Sequence, residues 1–255
     1  MRYTELIFDL YGTLLDIHTL KEGIVWEKTA LYFGYYGAFY TPEELGSEYL
    51  RLWNEGEIKA GLDETHFPDI HVEDIFEQLF IQKGVTKNTK ALAFSAAQLY
   101  RVSATDYIRL YPGVTETLKS LKEKGCRLWL LSNAQRIFTE YELRALGVLD
   151  SFEKVYISSD FGVRKPDVRF FRALIENEGL DPQKCLMIGN DRETDIAGAA
   201  AAGLATVYMH TNLTPQSQAS ADTSLLPGKA PKDCRHFEYE GSDLAPLAEM
   251  LCSLE

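Results

Sequence analysis

The chain reads as an α/β protein, a parallel sheet with helices on both faces, interrupted by an inserted helical block. Two observations carry that expectation. The first is a set of short apolar runs of strand length: Leu6-Ile7-Phe8, Leu128 to Leu131, Val155-Tyr156-Ile157, Leu186-Met187-Ile188 and Ala205 to Tyr208. Such runs suit strands buried on both faces. The second is what separates them. From the second run onward they alternate with helical patterns that stop at glycine: Val114 to Lys124 before Gly125, Gln135 to Leu146 before Gly147, Asp167 to Glu178 before Gly179, and Glu193 to Ala202 before Gly203. Glycine is the usual residue just past a helix end, and repeated strand-loop-helix units build parallel sheets.

Residues 16–108 break this rhythm, being predominantly helical with no convincing strand. Thr41-Pro42-Glu43-Glu44 has the form of a capping box with proline at the first helical position. Asp74 to Lys83 puts Ile75, Phe76, Leu79 and Phe80 on one stripe before Gly84, and Ala91 to Val102 continues the helical pattern. The expected division is a core of residues 1–15 and 109–255 and a helical subdomain of residues 16–108. A block inserted there would sit over the carboxyl ends of the strands, where open α/β sheets bind ligands, which makes it a candidate lid. Thr211 to Asp233, rich in Ser, Thr, Pro, Gln and Ala, reads as a surface loop. A last strand at His236 to Tyr239 and a last helix at Asp243 to Leu251 close the core.

The totals narrow the class. With 255 residues, 45% of them hydrophobic, the chain can bury a full core. A net charge of −12 works against broad binding to nucleic acid or anionic lipid, leaving a small-molecule partner as the expectation. Cys126, Cys185, Cys234 and Cys252 form no CxxC pair and read as reduced thiols of a cytoplasmic protein. No signal peptide or membrane-spanning stretch is visible.

Four segments carry chemistry. Phe8-Asp9-Leu10-Tyr11-Gly12-Thr13-Leu14 follows the first strand, so Asp9 falls at the strand's carboxyl end, and an aspartate there can attack as a carboxylate nucleophile. An Asx-type turn explains it equally. Leu131-Ser132-Asn133 ends the next strand just before a helix, offering a hydroxyl and backbone N–H groups to an anion, although Ser132 or Asn133 also suits an N-cap. Lys165 lies in Val163-Arg164-Lys165-Pro166-Asp167, with Pro166 in the expected first turn of the next helix. It can neutralise a carboxylate beside a phosphate, or be one surface lysine among many. Ile188-Gly189-Asn190-Asp191-Arg192-Glu193-Thr194-Asp195 brings hard oxygen ligands to the same sheet edge, as Mg²⁺ prefers. Acidic helix capping is the alternative there, and it suits Glu193 better than Asp191.

In their order, each at a strand's carboxyl end, these segments resemble the four motifs of the haloacid dehalogenase superfamily: Asp9 to Thr13, Ser132, Lys165, and Asn190 to Asp195. The resemblance covers roughly residues 4 to 210. It implies a Rossmann-like parallel sheet core with an inserted α-helical cap subdomain, an aspartyl intermediate on Asp9, and Mg²⁺ held by Asp9, the backbone carbonyl of Tyr11 and the fourth motif. Thr13 and Ser132, with Asn133 beside them, would bind phosphoryl oxygens, and Lys165 would steady Asp9 and the substrate. The implied partner is a small phosphorylated metabolite, with the chain a monomer or homodimer.

Tyr11 departs from the phosphatase pattern, which has a second aspartate there as acid and base; a phenol is poorly matched to take a proton from water. Tyrosine at this position resembles the metal-independent dehalogenase branch. That branch, however, has Ser and Asn for the acidic fourth motif and an arginine early in the cap, whereas this chain has Asp191 and Asp195 and no arginine between Arg2 and Arg51. A Mg²⁺-dependent phosphatase is therefore the expectation. A 2-haloacid dehalogenase, or a phosphate-binding module with weak turnover, stands as the alternative. The first acidic position of the fourth motif falls on either Asn190 or Asp191. In the cap, Tyr32, Phe33, Tyr35, Tyr36, Phe39 and Tyr40, with Trp26 and Trp53, read as packing or as a pocket or dimer surface. His18 reads as a surface or capping residue.

Overall fold

The computed structural model describes residues 2–20, 22–215 and 235–254. In chain order the elements are β1 (Glu5–Phe8), β2 (Leu15–Thr19), α1 (Glu22–Tyr35), α2 (Pro42–Lys59), α3 (Val72–Gln82), α4 (Thr89–Ala104), β3 (Thr105–Leu110), α5 (Val114–Glu123) and β4 (Arg127–Ser132). There follow α6 (Arg136–Ala145), β5 (Lys154–Ile157), α7 (Ser158–Phe161), α8 (Val168–Glu178), β6 (Cys185–Gly189), a π-helical turn (Arg192–Ala197) running into α9 (Gly198–Ala201), β7 (Ala205–His210), β8 (His236–Glu240) and α10 (Leu247–Ser253).

The expected α/β architecture is what forms. Six strands make one parallel sheet in the order β5-β4-β1-β6-β7-β8. Pleating sends successive side chains of β1 to opposite faces. Leu6 and Phe8 pack with Leu128, Leu130, Leu186 and Ile188, while Ile7 packs with Trp129, Leu131 and Met187 against Phe170 and Phe171 of α8. Because β1 lies between β4 and β6, the chain turns one way and then the other from a central strand. Open α/β sheets bind ligands at such switch points. Phe8 is in register with Leu130 and Ile188, so Asp9 emerges at the middle of the carboxyl edge.

Helices α1–α4 bury their own apolar stripe. Phe33, Leu45, Phe76, Leu79 and Phe80 are fully buried, and Phe33 stacks on Phe80 with ring centroids 3.9 Å apart. Trp26 joins them, whereas Tyr35 (87% exposed) and Phe39 (74%) face outward, so the aromatic cluster divides between packing and surface.

Three local expectations change. The helical block is joined to the sheet through an antiparallel ribbon, β2 with β3, where the sequence pattern gives no strand. Its residues are mostly polar and outward-facing, and Asp16 pairs across it with Arg109 at 2.7 Å. Pro166 precedes the cap of α8 and is not in its first turn; Asp167 is the N-cap, accepting from the Arg169 N–H at 2.9 Å. The final helix starts at Leu247, four residues later than expected, while β8 falls where it was placed. The four helix-ending glycines all take positive φ. Of the expected 211–233 loop, residues 216–233 lie outside the described residues, as does Cys234. Cys126 and Cys185 are buried, and burial pushes the Cys126 pKa up to about 11. No described helix is long and apolar enough to cross a membrane.

Candidate active site

Asp9 leaves β1 with its N–H bonded to the Ile188 carbonyl at 2.9 Å, and the chain then folds into a tight turn. The Leu10 carbonyl accepts from the N–H groups of Thr13, Leu14 and Leu15 at 3.2, 2.8 and 2.9 Å. Gly12 allows this geometry twice over: its φ is +85°, and a Cβ there would lie 2.3 Å from the Asn190 amide nitrogen. The turn aims Asp9 and Thr13 into a buried cluster. The Thr13 hydroxyl lies 3.2 Å from Asp9 Oδ2 and 3.1 Å from Asn190 Oδ1.

Lys165 sits at the centre, 1% exposed. Its ammonium donates to Asp9 Oδ1 at 2.6 Å, Asp195 Oδ1 at 2.7 Å and the Leu131 carbonyl at 2.8 Å, satisfying all three protons. Burial alone would lower its pKa, but Asp195 and Asp9 more than reverse that and hold it charged. Burial pushes the Asp195 carboxyl up, Lys165 opposes and the Asp9 charge adds to the rise, leaving it at about 7. Asp195 fits because residue 189 is glycine; a Cβ there would stand 2.2 Å from Asp195 Oδ2.

Ser132, at the end of β4, is buried, and its hydroxyl has no hydrogen-bond partner among the described residues. Leaving such a group unsatisfied costs about 1–3 kcal/mol, so a ligand oxygen would fit beside it. Asn133 is engaged differently: its amide donates to the Lys165 carbonyl at 2.9 Å and accepts from the Lys165 N–H at 2.8 Å, clamping the lysine's backbone. Neither residue caps α6. The N-cap position is Gln135, while the Ser159 hydroxyl accepts from the N–H of Arg136, the first helical residue, at 3.0 Å and the Ser158 hydroxyl from the Ala134 N–H at 2.8 Å.

In the fourth segment, Asn190 turns toward Thr13 and Asp9, and its amide nitrogen donates to the Leu213 carbonyl at 3.2 Å. Asp191 caps the π-helical turn, Oδ1 accepting from the N–H groups of Glu193 and Thr194 at 2.9 and 3.0 Å. The capping residue is thus Asp191, not Glu193 as the sequence suggested.

Tyr11 is half-buried and points to α6. Its hydroxyl donates to Glu142 Oε2 at 2.5 Å and lies 3.1 Å from the Thr139 hydroxyl. Burial, reinforced by the Glu142 charge, pushes the phenol's pKa far above its ordinary value. Arg101, reaching from α4, binds Glu142 through two nitrogens at 2.6 and 3.0 Å and lies 5.3 Å from the centre of the Tyr11 ring.

The family model described as haloacid dehalogenase-like hydrolase matches residues 6–203, spanning every residue of this cluster. The chain belongs to that family. Among curated relatives of this haloacid dehalogenase-like hydrolase, a glyceraldehyde 3-phosphate phosphatase of Methanothermobacter thermautotrophicus is 36% identical over 42% of the chain and 47% of its own length. A phosphoserine phosphatase of Thermus thermophilus is 32% identical over 44% of the chain and 46% of its own length. The chain spans about half the length of these relatives. The pyrimidine 5'-nucleotidase PynA of Streptococcus pneumoniae is 26% identical over 89% of the chain and 94% of its own length. Among solved structures, a 2-haloacid dehalogenase from Pseudomonas syringae shares the fold with a TM-score of 0.64, at 20% identity and 98% coverage of each chain.

The site of this haloacid dehalogenase-like hydrolase presents oxygen donors to a cation: the Asp9 carboxylate, Asn190 Oδ1 and the Asp195 carboxylate. Mg²⁺ takes such a set, with one or two carboxylates and the rest from substrate and water. The donors fit, although Asn190 contributes an oxygen without a charge. His18, bonded to Asp106 at 3.2 Å on the exposed ribbon, lies outside the cluster. The residues that sequence reasoning missed are Glu142, Arg101, Thr139, Ser158 and Ser159, together with Gln135, whose amide holds Asp69 Oδ1 at 3.1 Å and the Ile70 carbonyl at 3.0 Å. None sits in a recognisable motif. A cavity of about 450 Å³ opens beside Gln135, lined also by Trp53, Glu57 and Asp69 and by Asn133 and Arg164.

Proposed function

We propose that this chain is a Mg²⁺-dependent phosphatase of a small phosphorylated metabolite, working through an aspartyl-phosphate on Asp9, with α1–α4 as a cap over the site. The observation that carries the reading is the buried Asp9–Lys165–Asp195 cluster with an unpartnered Ser132 hydroxyl at the neighbouring strand end. Phosphatase names among relatives sharing 32 to 36% identity over the aligned parts support it. Cys126 and Cys185, buried and read as reduced thiols, support a cytoplasmic setting.

Lys165 and Thr13 fix the Asp9 carboxylate, so one oxygen meets phosphorus without reorganising. The new bond joins that oxygen to phosphorus, the ester P–O bond breaks, and the alcohol leaves. Water then attacks phosphorus, releasing phosphate and regenerating Asp9. The Ser132 hydroxyl gains its missing partner in a phosphoryl oxygen, and Lys165 offsets the charge that gathers there. Mg²⁺ would be held by Asp9, the Tyr11 backbone carbonyl and Asn190, with Asp195 alongside, and would supply further charge neutralisation. Asp191, engaged as a cap, is left out of this set. Tyr11 is already a donor to Glu142, so the leaving alkoxide takes its proton from water, and the water that attacks phosphorus gives one up to solvent.

A second reading, carbon–halogen hydrolysis without metal, is favoured by the neutral amide of Asn190 and by Tyr11. Phosphate release from a panel of phosphorylated metabolites, measured with Mg²⁺ and with EDTA, decides between them. The phosphatase reading expects activity that EDTA and Asp9→Asn both abolish. Halide release from 2-haloacids in EDTA overturns it in favour of the dehalogenase, and tight phosphate-analogue binding without turnover overturns it in favour of a binding module.

A further inference from the structure

We propose that the edge of the sheet carries a separate site for a divalent transition-metal ion of the zinc class, built from His210, Glu238 and Glu240 with His236 beside them. β8 alternates strictly. Phe237 and Tyr239 pack against the core, leaving His236, Glu238 and Glu240 on the other face. The parallel register with β7 sets Thr206, Tyr208 and His210 opposite these three in turn. Two adjacent strands therefore present imidazoles and carboxylates to one another across a single face.

The distances suit a shared ion. His210 Nε2 lies 3.2 Å from Glu238 Oε2 and 3.7 Å from Glu240 Oε1, and one ligand atom from each of the three falls within 4.8 Å of the others. Ligand atoms about 2.0–2.2 Å from a tetrahedral zinc stand roughly 3.4 Å apart. Both imidazoles are steered. His236 Nδ1 lies 2.8 Å from the Thr206 hydroxyl, which leaves Nε2 facing Glu238 Oε1 at 3.6 Å. Metal-binding histidines are commonly fixed in this way through their other ring nitrogen. The Tyr208 ring meets the His210 ring edge-on, with centroids 4.5 Å apart. A mixed imidazole and carboxylate set selects a zinc-class ion over Mg²⁺ or Ca²⁺. The Arg192 guanidinium lies 4.8 Å from the centre of the Tyr208 ring.

The site is distinct from Asp9, since β7 is two strands from β1. An ion there would tie the edge strand to β7, whose outgoing segment bonds the nucleophile turn through Thr211 Oγ1 and the Gly12 carbonyl at 2.7 Å.

The test is calorimetric titration of the full chain with Zn²⁺ in excess Mg²⁺, for the wild type, His210→Gln and the pair Glu238→Gln/Glu240→Gln. The expected result is one ion bound with micromolar affinity, weakened at least about tenfold in both variants, while all three proteins melt alike in chelator. On the wild type itself, Cu²⁺ should give an electron paramagnetic resonance spectrum with nitrogen hyperfine structure. No micromolar binding, equal binding by wild type and variants, or a Cu²⁺ spectrum without nitrogen coupling overturns the proposal and leaves an ion-pair cluster only.

Discussion

At the scale of residues, the cluster is governed by one lysine holding two carboxylates. Lys165 bonds Asp9 and Asp195 at 2.6 and 2.7 Å with its own side chain buried. Of the residues around it, Asp9, Thr13, Ser132 and Asp195 were legible in the sequence because each follows the end of an apolar strand, and strand ends in a parallel sheet share one edge; Lys165 was legible from its place in the loop just before a helix. The choice between Asn190 and Asp191 was not legible. One residue of turn geometry decides which side chain faces Thr13 and which caps the helix. Tyr11 was read as poorly matched to take a proton from water, and its hydroxyl is a donor to Glu142, a partner 131 positions away. Tyr11→Phe should therefore lower stability by about 1.5–3 kcal/mol, the range for a hydrogen bond to a charged group. Turnover should stay far above the ~10²–10⁴-fold loss that removal of a general acid or base brings. Urea denaturation and kcat on one preparation check both parts, and a loss of that size would return Tyr11 to the chemistry.

At the scale of elements, helix ends set the positions of the side chains that matter. Asp167 caps α8 directly after Lys165 and Pro166, so the cap also fixes where the lysine leaves its loop. Burial pushes the Asp167 carboxyl up, but bonds from Arg169, His66 and the Phe67 N–H outweigh that and hold it well below the usual carboxylate range. A carboxyl depressed in the folded state stabilises above its unfolded pKa of about 3.9. That contribution is lost as pH falls from there through the folded value. Asp167→Ala should cost about 1 kcal/mol at neutral pH, as N-cap removal does. The gap between variant and wild type should close as pH falls below the ordinary carboxylate range, read from urea midpoints; a gap that persists in acid would assign the effect to packing. The β2–β3 ribbon was not legible for a related reason. Its pairing joins residues about 90 apart, and its outward polar side chains carry no buried run for a sequence pattern to detect.

At the scale of the whole molecule, α1–α4 and their loops meet the rest of the chain through polar contacts as well as through Ile137 and Phe138 of α6, which pack against the helical apolar cluster. Arg101 of α4 holds Glu142 of α6, Gln135 holds Asp69 and the Val72 N–H, and Arg164 bonds both Glu57 and the Pro68 carbonyl. The alternation of strands and helices made the core's architecture readable, and the helical stripes did the same for the insertion. How the two are fastened depends on side chains far apart in sequence, on which patterning is silent. Arg101→Met leaves Glu142 buried with only hydroxyl partners and should destabilise by about 3 kcal/mol. If the insertion works as a cap, kcat and KM should shift together; a stability loss with both constants unchanged would mean this contact does not govern the cap.

The claim that Asp9 is a covalent nucleophile toward phosphorus is tested most directly by trapping it. Enzyme quenched in acid during turnover of a phosphorylated substrate, then digested and analysed by mass spectrometry, should carry a phosphoryl group on the peptide containing Asp9, with none in Asp9→Asn. Phosphate release with no phosphoryl on that peptide, or a carbon ester on Asp9 after incubation with a 2-haloacid, would contradict it.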